Sequence, residues 1–453
     1  MVAGAATANY DAVIIGSTPT GLYAALQLAE IGLRVRLQAT PDSAWPQLAQ
    51  PGTAKALRKL VAYASTVLAD KQAGETGEIV AIEPGTALVP GKQGALHEMP
   101  QPHIYGICGI PLAKDYAQII GGGASFRAYL DRLLPVLTLG KTQNLARLLQ
   151  KRLGKTAVNT IKPLISTHFL ASFEQLNTAC AIPGLNEALT RAGSLTGGVL
   201  ALHQTWQEAN TRLAPASGWQ TLKAGLLHAF ELLGGEIASG EATLTTAHET
   251  TDGERIFTLQ TKERATAITC RALIYATDSS ERVQELLHTQ HFTEIPAVPP
   301  ADRAILQATL PLPTALTNQP AGSTITLHND RAILHITRLH PVEAAALAAE
   351  TAAPQALAQV FALDETGLPS AQDADELLTA HNLGQVTNWA RTTFTQPHGT
   401  IEAETAANAR NAALHSGRLQ VHSIALTGGN LGAALDAAET AAVTLRRELA
   451  NIS

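Results

Sequence analysis

The stretch Asp11–Ala39, DAVIIGSTPTGLYAALQLAEIGLRVRLQA, decides the fold. Ala12-Val13-Ile14-Ile15 is a short apolar run, which suits a strand buried on both faces in a parallel sheet. A tight turn follows, Gly16-Ser17-Thr18-Pro19-Thr20-Gly21. Leu22 to Ile31 are mostly small or apolar and predict a helix lying on the sheet, which Gly32 then stops. Arg34 to Gln38 alternates polar and apolar, as a second strand does. The sum is a β-α-β unit of the dinucleotide-binding type, in which a pyrophosphate sits at the helix N-terminus.

Such units place Gly at the first, third and sixth positions of the turn and an acid at the end of the second strand. Gly16 and Gly21 hold the first and sixth. The third is Thr18, whose side chain stands where backbone should approach phosphate. The acid position falls on Ala39, beside Gln38, and neither presents a carboxylate to a ribose. The backbone N–H groups of Gly16, Ser17, Thr18, Thr20 and Gly21 form the candidate cradle, and Pro19 has none. A turn that only joins strand to helix fits the same residues.

The 453 residues are enough for a large core and two or three lobes. A hydrophobic share of 45% with 15% charged residues describes an ordinary globular chain. The net charge of -6, with no Lys/Arg run, argues against nucleic acid as a partner. Cys108, Cys180 and Cys270 are odd in number and far apart, which fits free thiols and a cytoplasmic setting. No His or Cys pair has metal-ligand spacing, so no metal is expected. The first residues, MVAGAATANYDAV, lack the charged and apolar regions of a signal peptide. No apolar run reaches membrane-spanning length, which leaves peripheral membrane contact open.

Further along, a helix is expected over Ala54–Ala69, then short strands with Gly and Pro turns from Glu78 to Pro100. Helical periodicity runs from Ser125 to about Glu187. A helix from Trp219 to Leu233 precedes strands at 242–247, 256–260 and 268–275. Asn329-Asp330 reads as a hairpin turn between TITLH and RAILHI. Residues 341–385 are Ala-rich and acidic, with helical character. The chain ends in a strand (IAL, from Ile424), a Gly-rich turn (Thr427 to Gly432) and a long helix.

This order resembles the flavin-containing amine oxidase superfamily, and within it the oxygen-dependent protoporphyrinogen and coproporphyrinogen oxidases. The resemblance covers nearly the whole chain. It is carried by GALHEMP (94–100), NLARLLQKRLG (144–154), PLISTHF (163–169), Gly193-Ser194-Leu195, SGWQTL (217–222), ALIYAT (272–277), WARTTFTQPHG (389–399) and the turn from Gly428 to Asp436. Besides Thr18 and Ala39, the chain departs from the family pattern in three places. No Gly-Gly-Arg element follows the second strand, Thr167 stands at a family glycine, and the last helix lacks its glycine.

The resemblance implies an α/β fold: a Rossmann-type FAD-binding domain built from both chain ends, a mixed-sheet substrate domain and an inserted, mostly helical lobe. FAD-binding parts are expected at 1–75, 216–290 and 401–453, the substrate-side and helical lobe at 76–215, and the rest of the substrate domain at 291–400. It also implies FAD held by Gly16, Ser17, Thr18, Thr20 and Gly21 and by Gly428, Gly429, Asn430 and Gly432, with Thr167, His168 and Phe169 beside a porphyrin. Arg127, Arg132, Arg147 and Lys162 are candidate partners for propionates, or simply solvated helix charges. Flavin carries the redox chemistry in such enzymes, so no catalytic residue is singled out. Two functions stay open. One is an FAD-dependent oxidase of porphyrinogens in haem synthesis. The other is a non-catalytic homologue without flavin that binds porphyrin or serves as a partner subunit, as homodimer or heteromer.

Overall fold

The computed structural model describes residues 9–450, apart from 42, 44, 52–53, 69–77, 136–142, 251–252, 262–266, 290–291, 293–301, 348–354, 364–366, 368 and 387. The expected helix end at Ala69 and residues 136–142 of the helical stretch expected from Ser125 lie outside these. The chain forms two compact units. The first takes residues 1–80, 213–300 and 406–453, and the second takes 81–212 and 301–405.

The first unit is built on β1 (Tyr10–Ile15), α1 (Pro19–Ala29) and β2 (Val35–Ala39). β1 lies parallel to β2 on one side and to the strand Ile268–Ala276 on the other, with Ile15 opposite Gln38 and Tyr275. Beyond β2 comes Glu236–Ser239, also parallel. Ile268–Ala276 pairs with Arg255–Thr261 along its first half and with Leu419–His422 along its second. Alternation along β1 explains its apolar run. Ala12 and Ile14 face one core with Leu22, Leu26, Trp219, Phe230 and Leu435, while Val13 and Ile15 face another with Phe257, Leu273, Leu286 and Leu414. A strand covered on both faces has no polar side to show.

The second unit carries a seven-stranded sheet in the order Ala390–Thr395, Asp302–Leu310, Ala356–Ala362, Ala332–Arg338, Thr324–His328, Ala87–Pro90, Leu96–Glu98. One face packs Ile325, Leu327, Leu334, Ile336 and Val360 against Leu377 and Leu378 of the helix Ala371–Ala380. The opposite face bears a polar row set by the register: Thr326 opposite His335, His335 opposite Gln359, and Gln359 opposite Gln307. Helices Leu145–Leu153, Lys155–Ser166 and Leu195–Ala209 close around their own core in this unit. A buried ion pair, Arg152 with Asp131 at 3.2 Å, ties this helical part together.

Three expected boundaries move. The helix after β1 begins at Pro19, not Leu22, because Thr18 caps it and Pro suits the first helical turn. Within 341–385 the stretch Ala356–Ala362 is a fully buried central strand. Its alanines are helix formers, and tertiary burial overrides them. The last strand is Leu419–His422, while Ile424–Thr427 is a 3-10 turn capped by the Ser423 hydroxyl.

Candidate functional site: a cradle closed by its own side chains

The turn after β1 brings Gly16, Ser17, Thr18, Thr20 and Gly21 together at the N-terminus of α1, and all of them are buried. The two glycines are fixed by the neighbouring strand. Gly16 has φ +107°, and a Cβ there would lie 1.9 Å from the Ala276 carbonyl oxygen. A Cβ on Gly21 would lie 2.3 Å from Cβ of Ala276 and 2.7 Å from the Gly16 oxygen. Backbone packing thus accounts for both, with or without a ligand.

Three of the five backbone donors of the turn, those of Gly16, Ser17 and Gly21, are already engaged, the first by the Gln38 carbonyl at 2.9 Å. Ser43 Oγ accepts the Ser17 N–H at 2.7 Å. Thr18 Oγ1 accepts the Gly21 N–H at 3.3 Å and shares a hydrogen bond with Thr20 Oγ1 at 3.2 Å. Trp45 Nε1 donates to the Ser17 carbonyl at 2.6 Å, which brings the indole down onto the turn. At the end of β2, Gln38 Nε2 donates to the carbonyls of Ser239 and Gly240 at 2.6 and 3.0 Å, and Gln38 is buried. Asp278 follows the strand Ile268–Ala276, at the same end of the sheet as the turn. It accepts the Ile424 N–H at 3.3 Å, and burial pushes its carboxyl up to about 7.

The C-terminal turn is also self-contained. Gly428 and Gly429 take left-handed φ values of 61° and 79°, which glycine adopts without strain. Asn430 caps the helix Leu431–Leu449 by accepting the Ala433 N–H at 3.0 Å. Gly432 is buried beside a void of about 10 Å³ lined by Gln50, Leu57, Leu213, Leu431 and Leu435. That is room for about one water molecule.

In the second unit, Thr167, His168 and Phe169 follow the helix Lys155–Ser166. Thr167 ends the helix and is buried, its carbonyl accepting from the Gln396 side chain. Phe169 is buried, edge-on to Tyr105 with centroids 5.9 Å apart. Both pack as core. His168 differs: the residue is exposed, and its ring lies 4.7 Å from the Tyr105 ring. It nevertheless sits among enough protein atoms that desolvation holds it down at about 4, and it is neutral at pH 7. His335 is held down to about 3 by desolvation and by the nearby His168 and Arg212 charges, and its Nδ1 lies 3.0 Å from the Thr326 hydroxyl. Tyr105 takes φ 49°, uncommon for a residue with a side chain.

The cations proposed for propionates are mostly engaged. Lys162 pairs with Glu174 at 2.7 Å. Arg127 donates to the carbonyls of Lys151 and Arg152 at 2.9 and 3.0 Å, closing a helix C-terminus. Arg132 lies over the Tyr129 ring at 5.6 Å, and Arg147 is exposed.

No family model matches the chain, and no curated protein matches it. Solved structures do. An Exiguobacterium sp. 255-15 protein provisionally assigned as a protoporphyrinogen oxidase aligns over 98% of this chain and 100% of its own, with a TM-score of 0.68 and 18% identity. Cyclohexylamine oxidase from Brevibacterium oxydans IH-35A aligns over 97% and 99%, with a TM-score of 0.55 and 13% identity. Putrescine oxidase bound to putrescine aligns over 98% of each chain, with a TM-score of 0.52 and 12% identity. The chain has the fold of FAD-dependent oxidases.

FAD does not fit the residues placed here. A pyrophosphate on α1 needs free N–H groups, and those of Ser17 and Gly21 point into Ser43 and Thr18. A ribose at the end of β2 needs an exposed acceptor, and the buried Gln38 amide is locked to its neighbouring strand. Asp278 adds an acidic group at the end of the sheet where a diphosphate would lie. Ser43, Trp45, Asp278, Tyr105 and His335 were not singled out from the sequence. Ser43 and Trp45 fall where the Gly-Gly-Arg element is missing, and that gap was the one visible sign of them.

Proposed function

We propose that this chain is a flavin-free member of the oxidase fold that acts by binding, as a porphyrin-binding or partner protein, and not by redox chemistry. The observation that carries the reading is the closed cradle: the Ser17 N–H is consumed by Ser43 and the Gly21 N–H by Thr18. In the binding reading, a flat apolar ring would meet the solvent-reachable His168 and Tyr105, both neutral at pH 7. Stacking and single hydrogen bonds to imidazole would hold it, with little help from the engaged cations.

The competing reading is an FAD-dependent porphyrinogen oxidase, favoured by the fold and by its spread over the whole chain. That reading requires Ser43, Thr18 and Trp45 to leave the cradle. The absorption spectrum of the purified chain, with and without added FAD, separates the two. A colourless protein that neither gains flavin bands nor quenches free FAD fluorescence supports the binding reading. A protein that purifies yellow, or takes up FAD in equal amount, overturns it. Titration with porphyrin, followed by its absorption band, then tests the ligand class.

A further inference from the structure

His168 is an exposed residue just past the helix Lys155–Ser166, set between the buried Thr167 and Phe169. Its backbone N–H donates to the Ile165 carbonyl at 3.1 Å, and among the described residues no group hydrogen-bonds to its ring nitrogens. Desolvation keeps the imidazole neutral at pH 7, so a nitrogen lone pair stays open to a ligand. An aromatic wall stands beside it. The Tyr105 ring lies 4.7 Å away, and Phe169 and Trp206 meet Tyr105 edge-on at 5.9 and 5.2 Å. The turn that carries Tyr105 is seated on the same helix, since a Cβ on Gly106 would lie 2.6 Å from Leu164 Cδ1. Tyr105 keeps its φ of 49°, a backbone cost of the kind retained at ligand sites. Two buried polar atoms nearby lack partners among the described residues. They are His103 Nε2, on a ring 6.3 Å from Trp206, and Gln396 Oε1, whose amide donates to the Thr167 carbonyl.

The groups left free decide what a flat ring would meet here. Arg212 is paired with Glu343 at 2.9 Å and Lys162 with Glu174 at 2.7 Å. Arg303 donates to the Ser166 and Ala362 carbonyls. These cations are committed within the protein and do not clamp the carboxylates of a porphyrin. His335 Nδ1 is tied to the Thr326 hydroxyl at 3.0 Å, and His203 Nδ1 to the His103 carbonyl at 2.9 Å, so His168 is the imidazole with neither nitrogen engaged. A metal-free ring gives such an imidazole only π contact and weak hydrogen bonds at its centre. An iron porphyrin offers an open axial position, which neutral imidazole fills in many haem proteins.

We propose that the ligand of this site is an iron porphyrin, with His168 as its axial ligand. The inference rests on the porphyrin-binding reading and adds the metal to it. The test is titration of the full chain with ferric haem, and with metal-free protoporphyrin in parallel, each followed by its absorption band. Wild type binds ferric haem at least about tenfold more tightly than the metal-free ring, the margin that an added coordinate bond supplies. His168→Ala loses that margin, keeps its affinity for the metal-free ring, and regains the band of imidazole-ligated haem when free imidazole is added. His228→Ala, at an exposed histidine of the first unit, binds both rings as wild type does. If neither ring binds, the porphyrin-binding reading fails and this inference with it. If the metal-free ring binds, and His168→Ala takes up ferric haem with the wild-type band and affinity, the inference alone fails. An equal loss in His228→Ala also overturns it, because the haem would then sit on surface imidazoles at large.

Discussion

Replacing Ser43 with alanine tests whether the cradle is closed as a piece of structure. Ser17 and Ser43 are both buried, and the Ser17 N–H has the Ser43 hydroxyl as its acceptor at 2.7 Å. Removing that oxygen leaves a buried donor without a partner, which costs about 1–3 kcal/mol. A unit of this size loses about 2–4 °C of Tm per kcal/mol, so Ser43→Ala melts roughly 2–12 °C lower. Differential scanning fluorimetry reads this directly, with FAD and inorganic pyrophosphate as additives. Neither additive moves the wild-type Tm or restores the variant, because Thr18 still covers the helix N-terminus. A wild-type Tm that rises with FAD, or a variant within about 1 °C of wild type, would refute the reasoning.

Gly16→Ala forces a Cβ to within 1.9 Å of the Ala276 carbonyl oxygen at a φ of +107°, and the loss should exceed about 3 kcal/mol by urea midpoint. Asp131→Ala strands the buried Arg152 guanidinium and costs about 3–5 kcal/mol, measured the same way, whereas a loss under about 1 kcal/mol would mean water reaches the site. Acid weakens the second unit. Burial holds His103 at about 4 and His335 at about 3, while the unfolded side chains titrate near 6.5. Below about pH 6.5 the unfolded chain takes up protons that the folded unit refuses. Stability is therefore full above that pH and falls towards pH 4, by up to about 1.4 kcal/mol per pH unit for each histidine. Urea midpoints between about pH 7 and pH 5 check the sign.

The scaffold was legible in the sequence because it rests on periodicity. The apolar run in β1, the glycine that ends α1 and the Asn329-Asp330 hairpin each follow from local rules that packing reinforces. Ala356–Ala362 escaped because its alanines favour helix, while its place in mid-sheet is set by strands distant in sequence. The site was half legible. Thr18 and Ala39 stood out as substitutions in a known pattern, with Gln38 beside the second, and the hydrogen-bond partners of Thr18 and Gln38 did not. Ser43 lies 26 residues from Ser17, and Ser239 lies 201 from Gln38, so no local window contains these pairs. Thr167 and Phe169 matched a motif beside a cavity, and both are buried. Only their neighbour His168 reaches solvent.

The closure of the cradle differs from simple decay of a ligand site. Losing a ligand without compensation leaves buried N–H groups unpaired and a hollow where the ligand lay, each at a cost of a few kcal/mol. Here Thr18 supplies the acceptor that the Gly21 N–H needs, and Ser43 does so for Ser17. Gln38, beside the acid position at Ala39, carries an amide that donates to two carbonyls, a bond no carboxylate could make. Gln38→Glu would therefore put a carboxylate beside the family's acid position at Ala39 and still destabilise the unit, because two carbonyls would face a buried carboxylate. If instead Gln38→Glu kept the Tm and conferred FAD binding, the closure would be shallow and the oxidase reading would regain the advantage.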